Sequence, residues 1–385
     1  MKKGFSIILI FLFSALSFQS EASRRRQPPI DFLAYAQKIA DAEIARNPSA
    51  SQTVWNHDMA FRNMALLRLY EATENEKYLN YVREVADNFL DEQGLISAFD
   101  TEAFDLRNVL GGNFLYGIFY HSRGEIRYSN AMYVVRRQMF RQPRAENRLF
   151  WFSQAYENQV WLEGIFMAMP FYCLYAAIFD QPAVFGDIAL QIRRIDIRTL
   201  DERTGLNFQA WDESRTRIWA DEETGTTQTL FGQSIGFYLM GLVDVLDYFP
   251  IDHNFRFDII QKINRITRGL ARFQDSHTGM WYEVLDQPRD RRNFIDATST
   301  AMFAYAIAKA VNNGFLPPRD RQIAERAFRG LIDNALEGSN LTRATANANP
   351  NDGDGTIDYY VNLPQRINEP NAVAAFILAA VELAR

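Results

Sequence analysis

Cysteine is all but missing. Cys173 is the one thiol among 385 residues, which excludes an internal disulfide framework and any cysteine-built metal cluster. Histidine is nearly as scarce. His57, His121, His253 and His277 are scattered without ligand spacing, so no zinc site is supported and neither metal nor cofactor is expected. There is no long basic block and the formal net charge is −6, which argues against binding nucleic acid through its phosphates. No convincing hairpin signal occurs either. What the chain does have is 48% hydrophobic and 14% aromatic residues, the balance of a globular protein with a large core.

The first 22 residues read as a secretory leader. Lys2 and Lys3 precede an apolar run from Phe5 to Phe18, and Ser20-Glu21-Ala22 supplies small residues at the cleavage-determining positions. The run is too short for a good membrane span, which needs roughly 20 apolar residues. No cysteine follows it to carry a lipid. The expected product is residues 23–385, one soluble acidic domain in the periplasm or secreted, without membrane contact after cleavage.

Helical periodicity dominates the rest. It predicts helices near 31–46, 56–72, 76–92, 104–122, 126–141, 158–179, 182–198, 227–249, 253–274, 294–313, 318–336 and 370–385. Two kinds alternate. Windows such as 76–92 and 319–337 are amphipathic, with Tyr78, Val82, Val85 and Phe89 recurring beside Arg83, Glu84, Asp87 and Asp91. Windows 108–120, 164–179, 227–243, 297–308 and 371–381 carry almost no charge; Asp58, Arg62 and Arg68 are the exceptions in the first helix of this type. Helices apolar all round are buried and helices with one polar face lie outside. Six of each, alternating, predict an all-α fold, an (α/α)6 barrel. Glu76-Lys77-Tyr78-Leu79 and Glu125-Ile126-Arg127-Tyr128 put two tyrosines 50 positions apart, a period that fits a repeated helical hairpin. An open solenoid is the rival arrangement.

The connections are unequal. Links from an uncharged helix to the next charged one are short, and links in the other direction are long: about 47–55, 93–103, 142–157, 199–226, 275–293 and 337–369. In a barrel all the long links lie at one end, and long loops in a compact domain are usually functional. Trp55, Trp151, Trp161, Trp211, Trp219 and Trp281 all fall in these links or in the first turn after them. Flat aromatic faces at a cavity mouth suit the C–H face of a sugar ring, so Trp151, Trp211 and Trp219 at least are expected to line one cavity. The competing explanation is that they plug one barrel end.

Glu163 opens the most apolar helix, followed by the uninterrupted apolar stretch Ile165–Phe179. Desolvation there would raise its pKa and suit it to general-acid work, whereas a helix N-terminus would stabilise the carboxylate and oppose that rise. Asp212 and Asp221, in Gln209-Ala210-Trp211-Asp212-Glu213-Ser214-Arg215 and Trp219-Ala220-Asp221, are candidate partners for it. For Glu213 and Arg215 a salt-bridged loop explains the pattern better. Gly232-Gln233-Ser234-Ile235-Gly236 matches a nucleophile elbow but lacks the preceding strand that the elbow requires; small residues for close helix packing explain it. Asp352-Gly353-Asp354-Gly355 lacks the spacing of a calcium loop and reads as a turn.

The chain resembles the unsaturated rhamnogalacturonyl hydrolases, glycoside hydrolase family 105. The likeness covers most of residues 23–385. It is carried by QPRAENRLFWFSQAYENQVWLEGIFMAMPFY (142–172), QAWDESRTRIWADEETG (209–225), FGQSIGFYLMGLVDVLDYFP (231–250) and GMWYEVLDQPRDRRNFIDATSTAMFAYAIAKAV (279–311). The resemblance implies an (α/α)6 barrel acting on an oligosaccharide with a 4,5-unsaturated uronic acid at its non-reducing end. An acid protonates carbon 4, water adds at carbon 5, and the hemiketal rearranges to release the next sugar. The family's acid is an Asp in W-x-D-G; here Trp161-Leu162-Glu163-Gly164 has Glu163. A second family Asp falls at Arg107 or Asn108, the His of H-A-W-D-E-S is Gln209, and the His after F-W is Phe152. The family's Arg in the barrel block is Gln233 and a nearby Trp is Phe237. The implied substrate-binding set is Asn108, Trp151, Trp161, Gln209, Trp211, Trp219 and Gln233. Two other readings stay open. One is an inverting glycosidase pairing Glu163 with Asp212 or Asp221, carboxyls roughly 6.5–9.5 Å apart. The other is a non-catalytic glycan-binding relative.

Overall fold

The computed structural model describes residues 29–48, 54–97 and 99–385; the leader and its cleavage site fall outside them. The chain divides into two units after Asp31, and the helices lie in the second, Phe32–Arg385.

Twelve principal helices follow one another: α1 (Phe32–Arg46), α2 (His57–Thr73), α3 (Glu76–Phe89), α4 (Gly111–His121, led in by the turn Leu106–Val109), α5 (Ile126–Arg141), α6 (Glu163–Ile178), α7 (Ala183–Thr199), α8 (Gly232–Val245), α9 (Arg256–Phe273), α10 (Ala297–Asn312), α11 (Arg321–Asn334) and α12 (Pro370–Ala384). The even-numbered helices form the inner ring. Each packs on the next, and α12 packs back on α2. That contact closes the ring and rules out the open solenoid. Charge decides which helices go inside. Every residue of α8 is buried, as is α10 from Ala297 to Ala310. In α3, Tyr78, Val82, Val85 and Phe89 are buried while Glu84 and Asp87 face water.

The tyrosine repeat has a structural counterpart. The Tyr78 hydroxyl on α3 donates to Asp41 on α1 at 3.0 Å, and the Tyr128 hydroxyl on α5 donates to Asp87 on α3 at 2.8 Å. In these two cases an outer helix is tied to the preceding one by the same tyrosine–aspartate pair. The small residues of the false nucleophile elbow serve packing. Ser234 is buried in α8 and donates to the Phe231 carbonyl, and a Cβ on Gly236 would lie 2.8 Å from the Met302 sulfur.

Several boundaries move. The expected helices at 158–179, 227–249 and 294–313 begin later, at Glu163, Gly232 and Ala297. The residues before them are extended. Gln159–Trp161 pairs antiparallel with Ala210–Asp212, and Ile295–Asp296 with Trp281–Tyr282. Strand pairs also join Ala344–Thr345 to Gln365–Arg366, and close the short hairpins Leu200–Asp201/Leu206–Asn207 and Leu336–Glu337/Asn340–Leu341. The absence of hairpin signals therefore did not mean an absence of strands. Strands two or three residues long carry no readable alternation. They stitch the long links together at the end of the barrel where the inner helices start.

Candidate active site

Three phenylalanines meet inside the inner ring: Phe61 on α2, Phe166 on α6 and Phe237 on α8. Their ring centroids lie 5.1, 5.5 and 6.2 Å apart pairwise. Residues three or four positions earlier on a helix share its face. One turn toward the N-termini of the same helices stand Asp58, Glu163 and Gln233. All three residues keep a buried oxygen with no hydrogen bond: Asp58 Oδ1, Glu163 Oε2 and Gln233 Oε1. Buried polar atoms are nearly always paired, so the unpaired oxygens of Glu163 and Gln233, on the adjacent helices α6 and α8 beyond this aromatic floor, mark a place for a polar ligand.

Glu163 is 7% exposed and sits in the first turn of α6. Burial pushes its carboxyl up to about 7, against the opposing pull of its own backbone N–H and of the Gln209 amide. Desolvation thus outweighs the helix N-terminus. The Gln209 Nε2 donates to Glu163 Oε1 at 2.7 Å and to the Ala348 carbonyl at 3.2 Å, while its Oε1 accepts from the Tyr360 hydroxyl at 2.7 Å. Gln209 is held there because the strand carrying it runs into the pair with Gln159–Trp161, and the Leu162 N–H donates to its carbonyl. Gln233 reaches down from α8 and donates to the Thr345 carbonyl at 3.1 Å.

An aromatic stack forms a side of the site. Trp161 stacks against Phe152 and Tyr156, with centroids at 4.1 and 4.8 Å and near-parallel planes, and these two rings lie 6.4 Å from each other. The Arg107 guanidinium lies over the Phe152 ring at 5.7 Å and is forked onto Asp105. Asn108, half-buried, is fixed by its carbonyl, which accepts from the Trp55 indole. Asn351 joins the Trp161 side to the Trp219 side: it exchanges hydrogen bonds with Gln159, whose Oε1 accepts from Trp161, and its own Oδ1 accepts from Trp219 at 3.2 Å.

The six tryptophans share one end of the barrel but not one wall. Trp219 lines a cavity of about 560 Å³ with Gln228, Asp286 and Asp354. Trp211 is engaged by its own loop: its indole N–H donates to the Thr224 carbonyl and Arg198 covers its ring at 5.2 Å. Trp151 is half-buried and its indole nitrogen makes no hydrogen bond. Trp55 is packed among Phe89, Phe99 and Phe114, and the fully buried Trp281 donates to the Leu270 carbonyl. The explanation that tryptophans plug the barrel end therefore holds for Trp55 and Trp281.

The two carboxylates considered as partners for Glu163 are committed elsewhere. Asp212 accepts from the N–H groups of Ser214, Thr216 and Arg217 and from the Ser214 hydroxyl. Asp221 caps its own turn through Glu223 and Thr224. Glu213 likewise holds a loop, accepting from the backbone of Glu146. Asp354 bonds Thr356 beside it, as a turn requires. Among the described residues no group of three or more His, Cys, Asp or Glu is placed to hold a metal.

The mouth also contains carboxyls that pattern reading passed over. Asp296 caps α10, accepting from Ser299 and from the backbone and hydroxyl of Thr345. Glu283 is fully buried; desolvation, with Asp296 nearby, holds its carboxyl well above the usual range. Glu369, just before α12, is pushed up to about 7 by burial and by Asp58.

The model of Glycosyl Hydrolase Family 88 matches residues 35–385. A solved glycoside hydrolase from family 105 of C. acetobutylicum ATCC 824 is 31% identical, with a TM-score of 0.87 over 91% of this chain and 99% of that one. The unsaturated rhamnogalacturonyl hydrolase YesR of Bacillus subtilis is 22% identical over 300 residues, 76% of this chain and 79% of that protein. The unsaturated glucuronyl hydrolase of Bacillus sp. GL1 shares the fold at 12% identity, with a TM-score of 0.71 over 92% of this chain and 96% of that one.

Proposed function

The chain belongs to the glycoside hydrolases of families 88 and 105, and from that membership we propose that it removes a 4,5-unsaturated uronic acid from the non-reducing end of lyase-generated oligosaccharides by hydrating the double bond. That it is a glycoside hydrolase of the unsaturated uronyl type follows from the family; the substrate and the route are our reading. The observation that carries the route is the state of Glu163: a buried carboxyl that holds a proton near neutral pH, with one oxygen unengaged above the aromatic floor. Protonating carbon 4 needs such a donor. The groups bonded to it directly and at one remove are an amide and a phenol rather than a second carboxylate, which favours hydration over direct displacement. The 22%-identical YesR is named for unsaturated rhamnogalacturonyl substrates, and pectic fragments are accordingly the first to try.

The test is turnover of unsaturated disaccharides from pectic, ulvan and glycosaminoglycan lyase digests, followed by loss of the enol ether's near-ultraviolet absorbance. Glu163→Gln should lower the rate by about 10²–10⁴, the usual worth of a positioned acid, with the fold intact. Retention of most of the rate would remove Glu163 from the mechanism. Inertness of the wild type on every unsaturated uronide would turn the reading to a non-catalytic glycan binder.

A further inference from the structure

The barrel has a second chamber, on the far side of the aromatic floor. Met64 stands one turn beyond Phe61 on α2, Pro170 one turn beyond Phe166 on α6, and Asp244 two turns beyond Phe237 on α8. These residues line one cavity of about 370 Å³, to which all six inner helices contribute, α4 through Tyr116, α10 through Tyr305 and α12 through Leu378. We infer that this cavity is a carbohydrate site separate from the one around Glu163, and that it takes a neutral sugar ring.

The wall specifies the ligand. Much of it is apolar or aromatic: Met64, Leu67 and Leu174 with Tyr116, Tyr120 and Tyr248. The Tyr116 ring lies 6.3 Å from Tyr120 and 6.3 Å from Tyr248, the latter nearly perpendicular to it. Flat faces meeting at an angle suit the C–H face of a sugar ring, and cavities lined by aromatics with a few polar groups are where small ligands bind.

The charges in the wall are matched among themselves. Arg68 donates to Glu71 at 3.0 Å and to Asp247 at 3.5 Å, and the buried Lys309 donates to Asp244 at 2.7 Å and to Asp247 at 2.6 Å. No cation is left over for a carboxylate or a phosphate, and each carboxylate already has its cation. A charged ligand would enter uncompensated, at a desolvation cost that an uncharged one avoids. Sugar hydroxyls still find acceptors. Both bonds to Asp247 fall on Oδ2 and the bond to Glu71 falls on Oε2, which leaves Asp247 Oδ1 and Glu71 Oε1. The His121 Nε2 stands 3.7 Å from that Glu71 oxygen, beyond hydrogen-bond reach. The entrance is open as well. Tyr120 is 67% exposed, and the Arg68 and Glu71 side chains are 43% and 40% exposed. A ring therefore reaches the cavity from solvent, at the end of the barrel where α2 and α4 finish.

Calorimetry on the full protein tests this, with the methyl glycosides of rhamnose, galactose, glucose and xylose as probes and galacturonate and choline as charged controls. Binding at this cavity is read as the binding lost when Glu71→Gln and Tyr120→Ala are combined, since the Glu163 site is intact in that variant. At least one neutral glycoside should bind the wild type with a dissociation constant of about 1–10 mM, roughly what one ring gains in a small pocket. Tyr120→Ala alone should weaken it at least about threefold, the worth of one aromatic contact, and the double variant should bind it below detection. Galacturonate and choline should bind wild type and double variant alike. Both positions are exposed, so the fold should survive, which circular dichroism checks. On any unsaturated disaccharide that the wild type turns over, kcat of the double variant should stay within about twofold, as expected for distant sites. The glycosides carry no double bond, so the outcome is independent of hydration at Glu163. If no neutral glycoside binds, if the folded double variant binds it as the wild type does, or if that variant loses galacturonate or choline instead, the cavity is not a neutral-sugar site.

Discussion

At the scale of the residue, Glu163 is the group whose chemistry depends most on its surroundings. Its pKa is raised from 4.5 to about 7 by burial. As a proton donor it must be protonated, so turnover should be full below that pH and decline as pH rises through about 7. A pH–kcat profile that climbs across that range would contradict the assignment. Stability carries the same sign. A folded-state pKa above the unfolded one means that the contribution is fully present below about 4.5 and is lost as pH rises through about 7. The loss is about 3 kcal/mol, at roughly 1.4 kcal/mol per pKa unit. Glu163→Gln has no proton to lose, so its stability relative to wild type should improve by up to that amount between pH 4.5 and 8 in urea titrations. Glu369 also titrates near 7, but it is common to both proteins and cancels in the difference. The identity of Glu163 and its desolvated setting were legible because one carboxylate precedes a long apolar run. Its link through Gln209 to Tyr360 was not, since those residues are 46 and then 151 positions apart.

At the scale of the element, the alternation of charged and uncharged helices was legible and the helix starts were not. Nothing local marks Gln159–Trp161 as extended. Its partner strand is Ala210–Asp212, and only the folded arrangement of two long links brings them together. The inner helices approach so closely that glycine is needed on α8. A Cβ on Gly241 would lie 2.8 Å from the Phe166 nitrogen and 2.9 Å from the Ile165 carbonyl carbon. Backbone cannot swing aside as a side chain can. Gly241→Ala should therefore cost about 1–3 kcal/mol, the usual range for overpacking, even though Ala favours helix. Urea unfolding reads the change; a neutral or stabilising result would mean that α6 and α8 separate freely.

At the scale of the whole molecule, the two barrel ends do different work. The N-terminal ends of the inner helices hold the candidate site. The other end encloses a cavity of about 370 Å³ lined by Arg68, Tyr116, Asp244, Tyr248 and Tyr305. There the buried Lys309 donates to Asp244 at 2.7 Å and to Asp247 at 2.6 Å, and Tyr305 donates to Asp244 at 2.7 Å. Burial alone would lower the Lys309 pKa, but these partners outweigh it and hold the ammonium well above its ordinary value. The network joins α8 to α10 far from Glu163. Lys309→Met strands Asp244 in the core and should cost about 3–5 kcal/mol, as breaking a buried ion pair generally does. In the fraction that stays folded, kcat should be unchanged. A thermal melt and an activity assay corrected for folded protein check both halves.

By itself the sequence determined the inventory and its order: twelve helices, which six go inside, which links are long, and that an acid opens the most apolar inner helix. These are properties of local periodicity and charge, written in neighbouring residues. Only the tertiary structure decided the closure of α12 on α2, the separate tasks of the six tryptophans, and the link from Glu163 through Gln209 to Tyr360. Those depend on contacts between residues far beyond a helical turn, from 11 positions for Trp281 and Leu270 to 151 for Gln209 and Tyr360. Such contacts leave no pattern in a single chain, because a ring of helices brings its members together only when it closes.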